Sequence, residues 1–507
     1  MIASQRCRLK RSARSRKGEV SLRTFEQRVN LKHAVGGGHL LRISTRYVSR
    51  IAGSAMLITM ATFAMGANGV DASVQRRGSA ANALHSGVLS KSFYNPIMDG
   101  NADPFMMKWE GSYILTATTG SNVTLWKSSS ITNIAAGSQA IVWSPSGAQS
   151  NLTDIWSPEL YRFGGHWYIY FAADVQGNNA THRDYVLESN TSNPLGSYRF
   201  VGEVHDPANQ WMIDPNILDL HGKLYFLWSG WLNPRNQVQR LFIAPMRSPT
   251  EISGSGVVIS SPTYAWEKSV APINEGPVSL QHGGKTFIIY SANASWKNGY
   301  NLGMLTLRGS NPLNPRDWVK NPSPVFSSAN GVYGPGRASF VVSENGKQNW
   351  MIYHAARYDQ SGWDRTIRAQ PFTWNKNGTP DFGKPDPLGT ALALPQGEKP
   401  NRVTYVPVKQ KKTTAIFRVH VASAGTYGMF VRYRNITGAS TMQNLVINGQ
   451  PQLPLSFPQT DKTQPLANQY SVLEMDVTLP KGNSSIEIYE GPLAASVSFI
   501  QLTTKRV

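Results

Sequence analysis

Residues 165–173 read GHWYIYFAA, a glycine and a histidine followed by a run of aromatic and β-branched side chains that ends in two alanines. The same pattern returns four more times. GSYILTATT starts at Gly111, GKLYFLWSG at Gly222, GKTFIIYSA at Gly284 and KQNWMIYHA at Lys347, so successive starts lie 54, 57, 62 and 63 residues apart. Each run follows a shorter strand-like run that begins near a proline or glycine: DPFMMKWE, SPELYRFG, DPNILDLH, GPVSLQHG and GRASFVVSEN. The paired unit reads as two antiparallel strands joined by a tight Gly-containing hairpin. Five such units, each with room for four strands, predict an all-β chain with a five-bladed β-propeller over residues 93–390. A large β-sandwich or two unrelated β domains would also show strand runs, but not this spacing with the same two-strand pattern.

Composition agrees with that reading. The chain has 507 residues, only 16% of them charged, with 44 Gly, 31 Pro and 14 Trp. A charged share below the usual ~25% argues against a coiled coil or a disordered chain and for a turn-rich β protein. The formal net charge of +20 first points to nucleic acid or another polyanion. Its distribution argues otherwise, because residues 1–90 hold 15 Lys+Arg against 3 Asp+Glu, a net +12, and leave +8 for the rest. No basic cluster comparable to this one follows Ser90, so no nucleic-acid partner is expected.

Within residues 1–72, Arg42, Arg46 and Arg50 precede the uncharged run IAGSAMLITMATFAMG (51–66) and the small residues ANGVDAS. This is the order of a secretory signal, with cleavage expected between Gly66 and Ala72. The run falls short of the ~20 apolar residues of a membrane span, so a secreted or periplasmic protein with no stable membrane anchor is expected. Residues 73–92 read as a linker. The single cysteine, Cys7, lies in the extension, so the mature chain is expected to carry neither a disulfide nor a thiol nucleophile.

A propeller gathers the starts of its innermost strands at one end of a central channel. Three of the five starts carry an acid beside a proline: Asp103 in NADPFM, Asp214 in MIDPNI and Glu275 in NEGPVS. Proline restricts the residue before it, which predicts an extended backbone at Asp103 and Asp214. Each such acid alone is an ordinary turn former. Three at equivalent places of a repeat form a constellation, and like charges in one cleft raise one another's pKa. Glycoside hydrolysis uses this arrangement, with a carboxylate base activating water and a carboxylic acid protonating the leaving oxygen. Glu159 in SPELY is a further acid placed to line the channel.

The segments YNPIMDGNADPFMM, IWSPELYRFGGHWYIYF, WMIDPNILDLHGKLYFLW, INEGPVSL, YGPGRASFVVSENGKQNWMIYHA and RTIRAQPFTWNKNGTPDFGKP run in order over about 300 residues. Together they resemble glycoside hydrolase family 43, five-bladed propellers acting on arabinose- and xylose-containing polysaccharides. The resemblance implies that Asp103 is the general base, Glu275 the general acid, and Asp214 the carboxylate that modulates the acid's pKa and orients it. It implies inversion at the anomeric carbon, and it makes Arg365 a contact to sugar hydroxyls in the innermost subsite.

One position departs from the family. Arabinofuranosidase-like relatives carry GPGHNSF where this chain has GPGRASF, so Arg337 replaces a histidine that helps to hold a central cation. Arginine cannot ligate a metal and can supply the charge itself. No cofactor is therefore expected to be required, a central Ca²⁺ is disfavoured, and Arg337 becomes a substrate-side candidate. His354 reads as a core or supporting residue. Among the tryptophans near strand starts, Trp109, Trp126, Trp156, Trp211 and Trp231 are candidates to stack on sugar, with Trp156 foremost.

After a linker at 391–401, residues 402–507 change to short alternating strands such as AIFRVHV, GTYGMFVRYRN and NSSIEIYEG. They predict a jelly-roll-like β-sandwich whose scaffold resembles carbohydrate-binding modules of families 6 and 35. It would either hold polymeric substrate close or serve only as structure. The expectation for the whole chain is a secreted, inverting α-L-arabinofuranosidase that releases arabinose from arabinan or arabinoxylan. A β-xylosidase, an endo-arabinanase and a non-catalytic sugar-binding propeller are the alternatives.

Overall fold

The computed structural model describes residues 88–89, 91–400, 402–405, 409–411, 414–463, 466, 469–489 and 495–503. The signal-like segment, its cleavage region and Cys7 lie outside them. Among the described residues the chain is built from strands, with three 3-10 turns of three residues each and no helix able to cross a membrane.

Five antiparallel sheets follow one another along the chain. Blade 1 is Ala102–Trp109, Ser112–Thr118, Val123–Ser128 and Ser138–Trp143; blade 2 is Leu152–Phe163, His166–Val175, Asn178–Ser189 and Tyr198–Glu203. Blade 3 is Met212–Leu220, Lys223–Gly230 and Arg240–Ser248, with Glu251–Ile252 and Val257–Ser260 both paired to its third strand. Blade 4 is Asn274–His282, Lys285–Ala292, Asn301–Leu307 and Trp318–Lys320; blade 5 is Tyr333–Val342, Asn349–Ala356, Arg365–Trp374 and Pro380–Asp381. In blades 1 to 4 the first hairpin is a two-residue turn with both φ angles positive, at Glu110-Gly111, Gly164-Gly165, His221-Gly222 and Gly283-Gly284. Those turns match the right-handed twist of the strands they join.

The second strand of each blade is the apolar run that repeats in the sequence, and neighbouring blades cover both of its faces. In His166–Val175 every residue from Trp167 to Asp174 is buried. Five apolar clusters fill the five seams. One joins Leu125 to Trp167 and Phe171, the next Tyr170 to Phe226, then Leu227 to Ile288, then Phe287 to Met351, and the last Leu115 to Trp350. The last seam, between blades 5 and 1, closes the ring. The segment before blade 1 tightens it: Ile367 N–H donates to Met98 O at 3.0 Å, and the Asn95 side-chain amide exchanges two hydrogen bonds with the Ala369 backbone.

All five inner strands share a defect. Ala102 pairs with Thr118 and Phe105 with Thr116, three steps against two, and the same slip recurs at Trp156/Glu159, Ile213/Asn216, Glu275/Val278 and Tyr333/Gly336. Each slip is a β-bulge with a proline inside it, where the missing N–H falls on an unpaired step of the ladder. The residue before each proline is left-handed: Asp103 (φ 51°), Ser157 (52°), Asp214 (64°), Gly276 (56°) and Gly334 (51°). The extended backbone predicted at Asp103 and Asp214 is therefore incorrect. Proline excludes the right-handed helical region for the preceding residue, and the bulge selects the left-handed region, which Asp and Gly tolerate better than bulkier residues.

The C-terminal region is a β-sandwich of two five-stranded antiparallel sheets. One has the order Val88–Leu89, Arg402–Tyr405, Ser496–Thr503, Gly425–Arg434, Ser471–Leu479; the other Lys409–Lys411, Thr414–Val421, Gly482–Tyr489, Leu445–Ile447, Gln450–Pro451. Residues 88–89, read as part of a linker, thus supply an edge strand to the first sheet. Phe417, Val419 and Val421 point into a core that both sheets share, while Arg418 and His420 between them are exposed. On its outer face the first sheet meets the propeller. Phe430 and Val472 pack with Ala136 and Tyr94, and the Arg432 guanidinium lies 3.8 Å from the Tyr470 ring centre and 5.2 Å from that of Tyr94.

Candidate active site

The bulges aim side chains into the channel, and the channel's two ends differ chemically. One end opens on a cavity of about 550 Å³ lined by residues such as Phe105, Val278, Phe340 and Trp374, with no carboxylate on its wall. The other is a pocket of about 570 Å³ whose lining includes Asp103, Asp214, Glu275, Trp156, Arg337 and Arg365. These six of the residues singled out from the sequence thus meet in one place, although more than 250 positions separate the first from the last.

Asp103 projects from the blade 1 bulge. Its Oδ2 accepts from the Thr118 hydroxyl at 2.7 Å, and its backbone N–H donates to His354 Nδ1 at 2.8 Å. His354 is fully buried, and burial together with Arg365 and Arg337 holds its pKa well below the usual value. The ring is therefore neutral, and its 3.4 Å approach to the Asp103 carboxylate is not an ion pair. Burial pushes the Asp103 carboxyl up, and the Arg365 and Arg337 guanidiniums pull it down.

Glu275 sits one residue before the blade 4 bulge. Its Oε1 accepts from Tyr300 Oη at 2.7 Å and its Oε2 from Gln239 Nε2 at 3.1 Å. Burial first, then the neighbouring Asp214 charge, lift its pKa to about 7. Carboxyl groups in such surroundings keep a proton near neutrality.

Asp214 connects the other groups. Its Oδ2 accepts the backbone N–H of Gly276, the residue after Glu275, at 2.9 Å, and its Oδ1 accepts from the Ser157 hydroxyl and, at 2.6 Å, from Arg337. The second arm of the Arg337 fork donates to Glu159 Oε1 at 2.5 Å. Tyr161 and Asn216 also donate to Glu159, so this acid sits among donors at the channel's waist and lies off the pocket wall. Arg337 enters the waist because blade 5 has a second slip, with Gly336 opposite His354 and Ala338 opposite Tyr353. It is 1% exposed and both arms of its guanidinium are engaged, so the structure places it on carboxylates rather than facing a sugar. Among the described residues no group of three or more acidic, histidine or cysteine side chains is placed to hold a metal ion.

Arg365 lies 5.5 Å from the centre of the Tyr300 ring and donates to Ser295 O at 2.7 Å. Trp156 stacks on His182 at 4.1 Å, and Trp211 on Trp231 at 4.5 Å, which gives the pocket an aromatic wall on blades 2 and 3. Trp109 and Trp126 belong elsewhere. Trp109 packs edge-on against Trp167, and Trp126 is buried in the seam between blades 5 and 1.

Sequence reasoning missed Thr118, Ser157, Gln239, Tyr300, Trp296 and Trp363. A topological signal was available for most of them. The second strand of every blade ends beside the start of the first, so the loops after GKLYFLWSG, GKTFIIYSA and KQNWMIYHA open at the same end of the channel. Gln239, Trp296, Tyr300 and Trp363 all follow those runs.

Known proteins resemble this chain in the same region. Residues 93–380 match the model of glycosyl hydrolases family 43. The chain is 37% identical over 321 residues to an extracellular exo-α-(1→5)-L-arabinofuranosidase of Streptomyces avermitilis, covering 61% of this chain and 66% of that protein. It is 34% identical over 315 residues to α-L-arabinofuranosidase 43 of Humicola insolens, covering 60% of each. The chain thus spans somewhat less than two thirds of the length of these curated relatives. Among solved structures, the α-L-arabinofuranosidase from Lactobacillus brevis is 30% identical and superposes with a TM-score of 0.55 over 58% of this chain and 98% of its own. A thermostable family-43 glycoside hydrolase, 23% identical with a TM-score of 0.52, shares the fold. With the family model matched over more than half of its length, and with its strand starts carrying the acids described above, the chain belongs to glycosyl hydrolases family 43.

Proposed function

We propose that the protein is an exported α-L-arabinofuranosidase that inverts configuration and removes arabinose from arabinan or arabinoxylan. One observation carries the chemistry: two acids on opposite blades of one pocket have surroundings that treat their protons differently. Glu275, lifted to about 7 by burial and Asp214, holds the proton that a departing glycosidic oxygen needs. Asp103 faces Arg365 and Arg337, which favour its ionised form. In the proposed step Asp103 takes a proton from water, the oxygen of that water bonds to the anomeric carbon, the glycosidic C–O bond breaks, and Glu275 delivers its proton to the leaving oxygen. Exchange with solvent resets both acids. Asp214 orients Glu275 through the Gly276 N–H and raises its pKa by charge. Arg365 orients the sugar with its fixed planar fork.

The choice of arabinose rests on the named activities of the relatives and on the GPG-R-ASF and RAQPFTW segments; export rests on residues 42–72 and on the extracellular relative. Hydrolysis of aryl α-L-arabinofuranoside and aryl β-D-xyloside by the intact chain and by Glu275→Ala tests the reading. Release from the arabinoside, lost in the variant, is the expected result, and the first-formed arabinose should appear by NMR as the inverted anomer. Hydrolysis of neither substrate, or full activity without Glu275, would overturn it.

A further inference from the structure

Asp214 holds the acid Glu275 from one side, by accepting the N–H of Gly276, the residue after it. The residue before it, Asn274, takes no part in the hydrolytic step, yet it is polar and fully buried. At the matching place ahead of their bulges, blades 2, 3 and 5 carry Ile155, Met212 and Val332, all buried and apolar, and blade 1 carries the half-buried Asn101. A buried amide costs free energy unless its hydrogen bonds are made. Three other blades avoid that cost with an apolar side chain, so its acceptance in the blade that carries the acid calls for a reason.

The hydrogen bonds of Asn274 are made by a buried ion pair. Glu267 and Lys320, 0% and 13% exposed, meet at 2.7 Å. Asn274 Nδ2 donates to Glu267 Oε1 at 2.9 Å, and its Oδ1 accepts from Lys320 Nζ at 3.2 Å and from the Ser260 hydroxyl at 2.7 Å. The pair is held in turn: Glu267 accepts the Thr263 and Tyr264 N–H groups and the Tyr290 hydroxyl, and Lys320 donates to Ser261 O. An ion pair taken out of water adds little stability over apolar residues of the same volume, so stability alone does not account for this one. Its distinctive effect is to fix the Asn274 amide by both its oxygen and its nitrogen.

From Asn274 the constraint reaches Glu275 by two routes. The Asn274 carbonyl, part of the peptide that joins it to Glu275, accepts from the Ser229 hydroxyl at 3.0 Å, and its N–H donates to Gln239 O at 3.1 Å. Gln239 Nε2 donates both to Ser229 Oγ at 3.3 Å and to Glu275 Oε2 at 3.1 Å. We infer that Asn274, clamped by Glu267 and Lys320, is a positioning residue for the general acid, the counterpart of Asp214 on the other side of Glu275. It fixes both the peptide and the Gln239 amide from which the carboxyl is aimed at the glycosidic oxygen. This role rests on the glycosidase reading and adds to it a support that lies outside the pocket.

Leaving groups separate aim of the acid from general support of the fold. The leaving group of α-(1→5)-arabinobiose is an alcohol that needs the Glu275 proton, whereas that of dinitrophenyl α-L-arabinofuranoside needs none. Asn274→Leu gives blade 4 the kind of side chain its sister blades carry. It is expected to lower kcat on arabinobiose about ten-fold, with KM changed less than about two-fold, and to lower kcat on the dinitrophenyl substrate less than about two-fold. Ser260→Ala, which removes one hydroxyl and its bond to Asn274, should show the same selectivity at about three-fold. Equal losses on both substrates, or unchanged rates on arabinobiose, would overturn the inference while leaving the function intact. If Asn274→Leu does not fold, Ser260→Ala decides alone by the same criterion. A wild-type protein that hydrolyses neither substrate would overturn the function, and the inference with it.

Discussion

Asp103, inside the proline-containing bulge of blade 1, and Glu275, one residue before the matching bulge of blade 4, both have a raised pKa, yet the chain around them opposes that lift by different means. Both are buried deeply enough for desolvation to lift their pKa. Around Asp103 two guanidiniums oppose that lift. Around Glu275 the next largest influence is the negative charge of Asp214, and only neutral donors, Tyr300 and Gln239, stand against it ahead of Arg365. A repeated backbone can therefore hold an acid and a base. The difference is made by what the neighbouring blades bring to each.

The largest expected effects come from removing one of the two acids. Glu275→Ala and Asp103→Asn should each lower kcat by about 10²–10⁴-fold, the usual worth of a positioned acid or base. An activated leaving group distinguishes them. A dinitrophenyl arabinoside needs no proton from Glu275, so it should restore much of the activity of Glu275→Ala and little of that of Asp103→Asn. Equal rescue of both variants would break the assignment of roles.

Arg337 touches the two sides unequally, since it lowers the pKa of Asp103 and holds Asp214 and Glu159 without bonding Glu275. Arg337→Ala leaves two buried carboxylates without their cation, and removing one partner of such a group costs about 3–5 kcal/mol. The fall in Tm should be large. Arg337→Lys keeps the charge and loses the fork, so it should destabilise less and leave the acidic limb of the kcat/KM profile near its place. A chelator should leave the activity of the parent unchanged.

The wild-type profile should fall as pH rises through about 7, where Glu275 loses its proton, and fall again as pH drops and Asp103 gains one. Tyr300→Phe removes a hydrogen bond that lowers the pKa of Glu275. Its alkaline limb should move to higher pH and its acidic limb stay in place. Gly336→Ala tests the same contact from the backbone, because a Cβ there would lie 1.7 Å from Tyr300 Cε1 and force the ring aside.

How much of this was legible follows from what covers each segment. The second strands of the blades are buried on both faces, so they appear as uninterrupted apolar runs whose spacing reveals the propeller. The sandwich strands bury one face and show the alternation Phe417, Arg418, Val419, His420, Val421. The acids were legible because prolines mark the bulges, but the backbone at Asp103 and Asp214 was not. Proline leaves two regions open to the residue before it, and only pairing with the next strand decides between them. Tyr300, Trp296 and Trp363 lie in loops without periodicity, and Arg337 turns inward through a bulge that no local residue announces.

The smallest expected effect concerns stability. The folded-state pKa of Glu275, about 7, lies above the ordinary 4.5, so the folded protein binds the proton more tightly than the unfolded chain does. Its contribution is therefore fully present below about pH 4.5 and is lost as pH rises through about 7, where a bare charge must be kept in the pocket. Glu275→Gln carries no such charge. Thermal melts of the two proteins should agree at acid pH and separate above neutrality, with the variant the more stable. Asp103→Asn should show a smaller separation, because Arg365 and Arg337 already offset the Asp103 charge. If both variants gained stability equally at alkaline pH, the guanidiniums would not distinguish base from acid, and the contrast between the two sides of the pocket would have to come from the substrate.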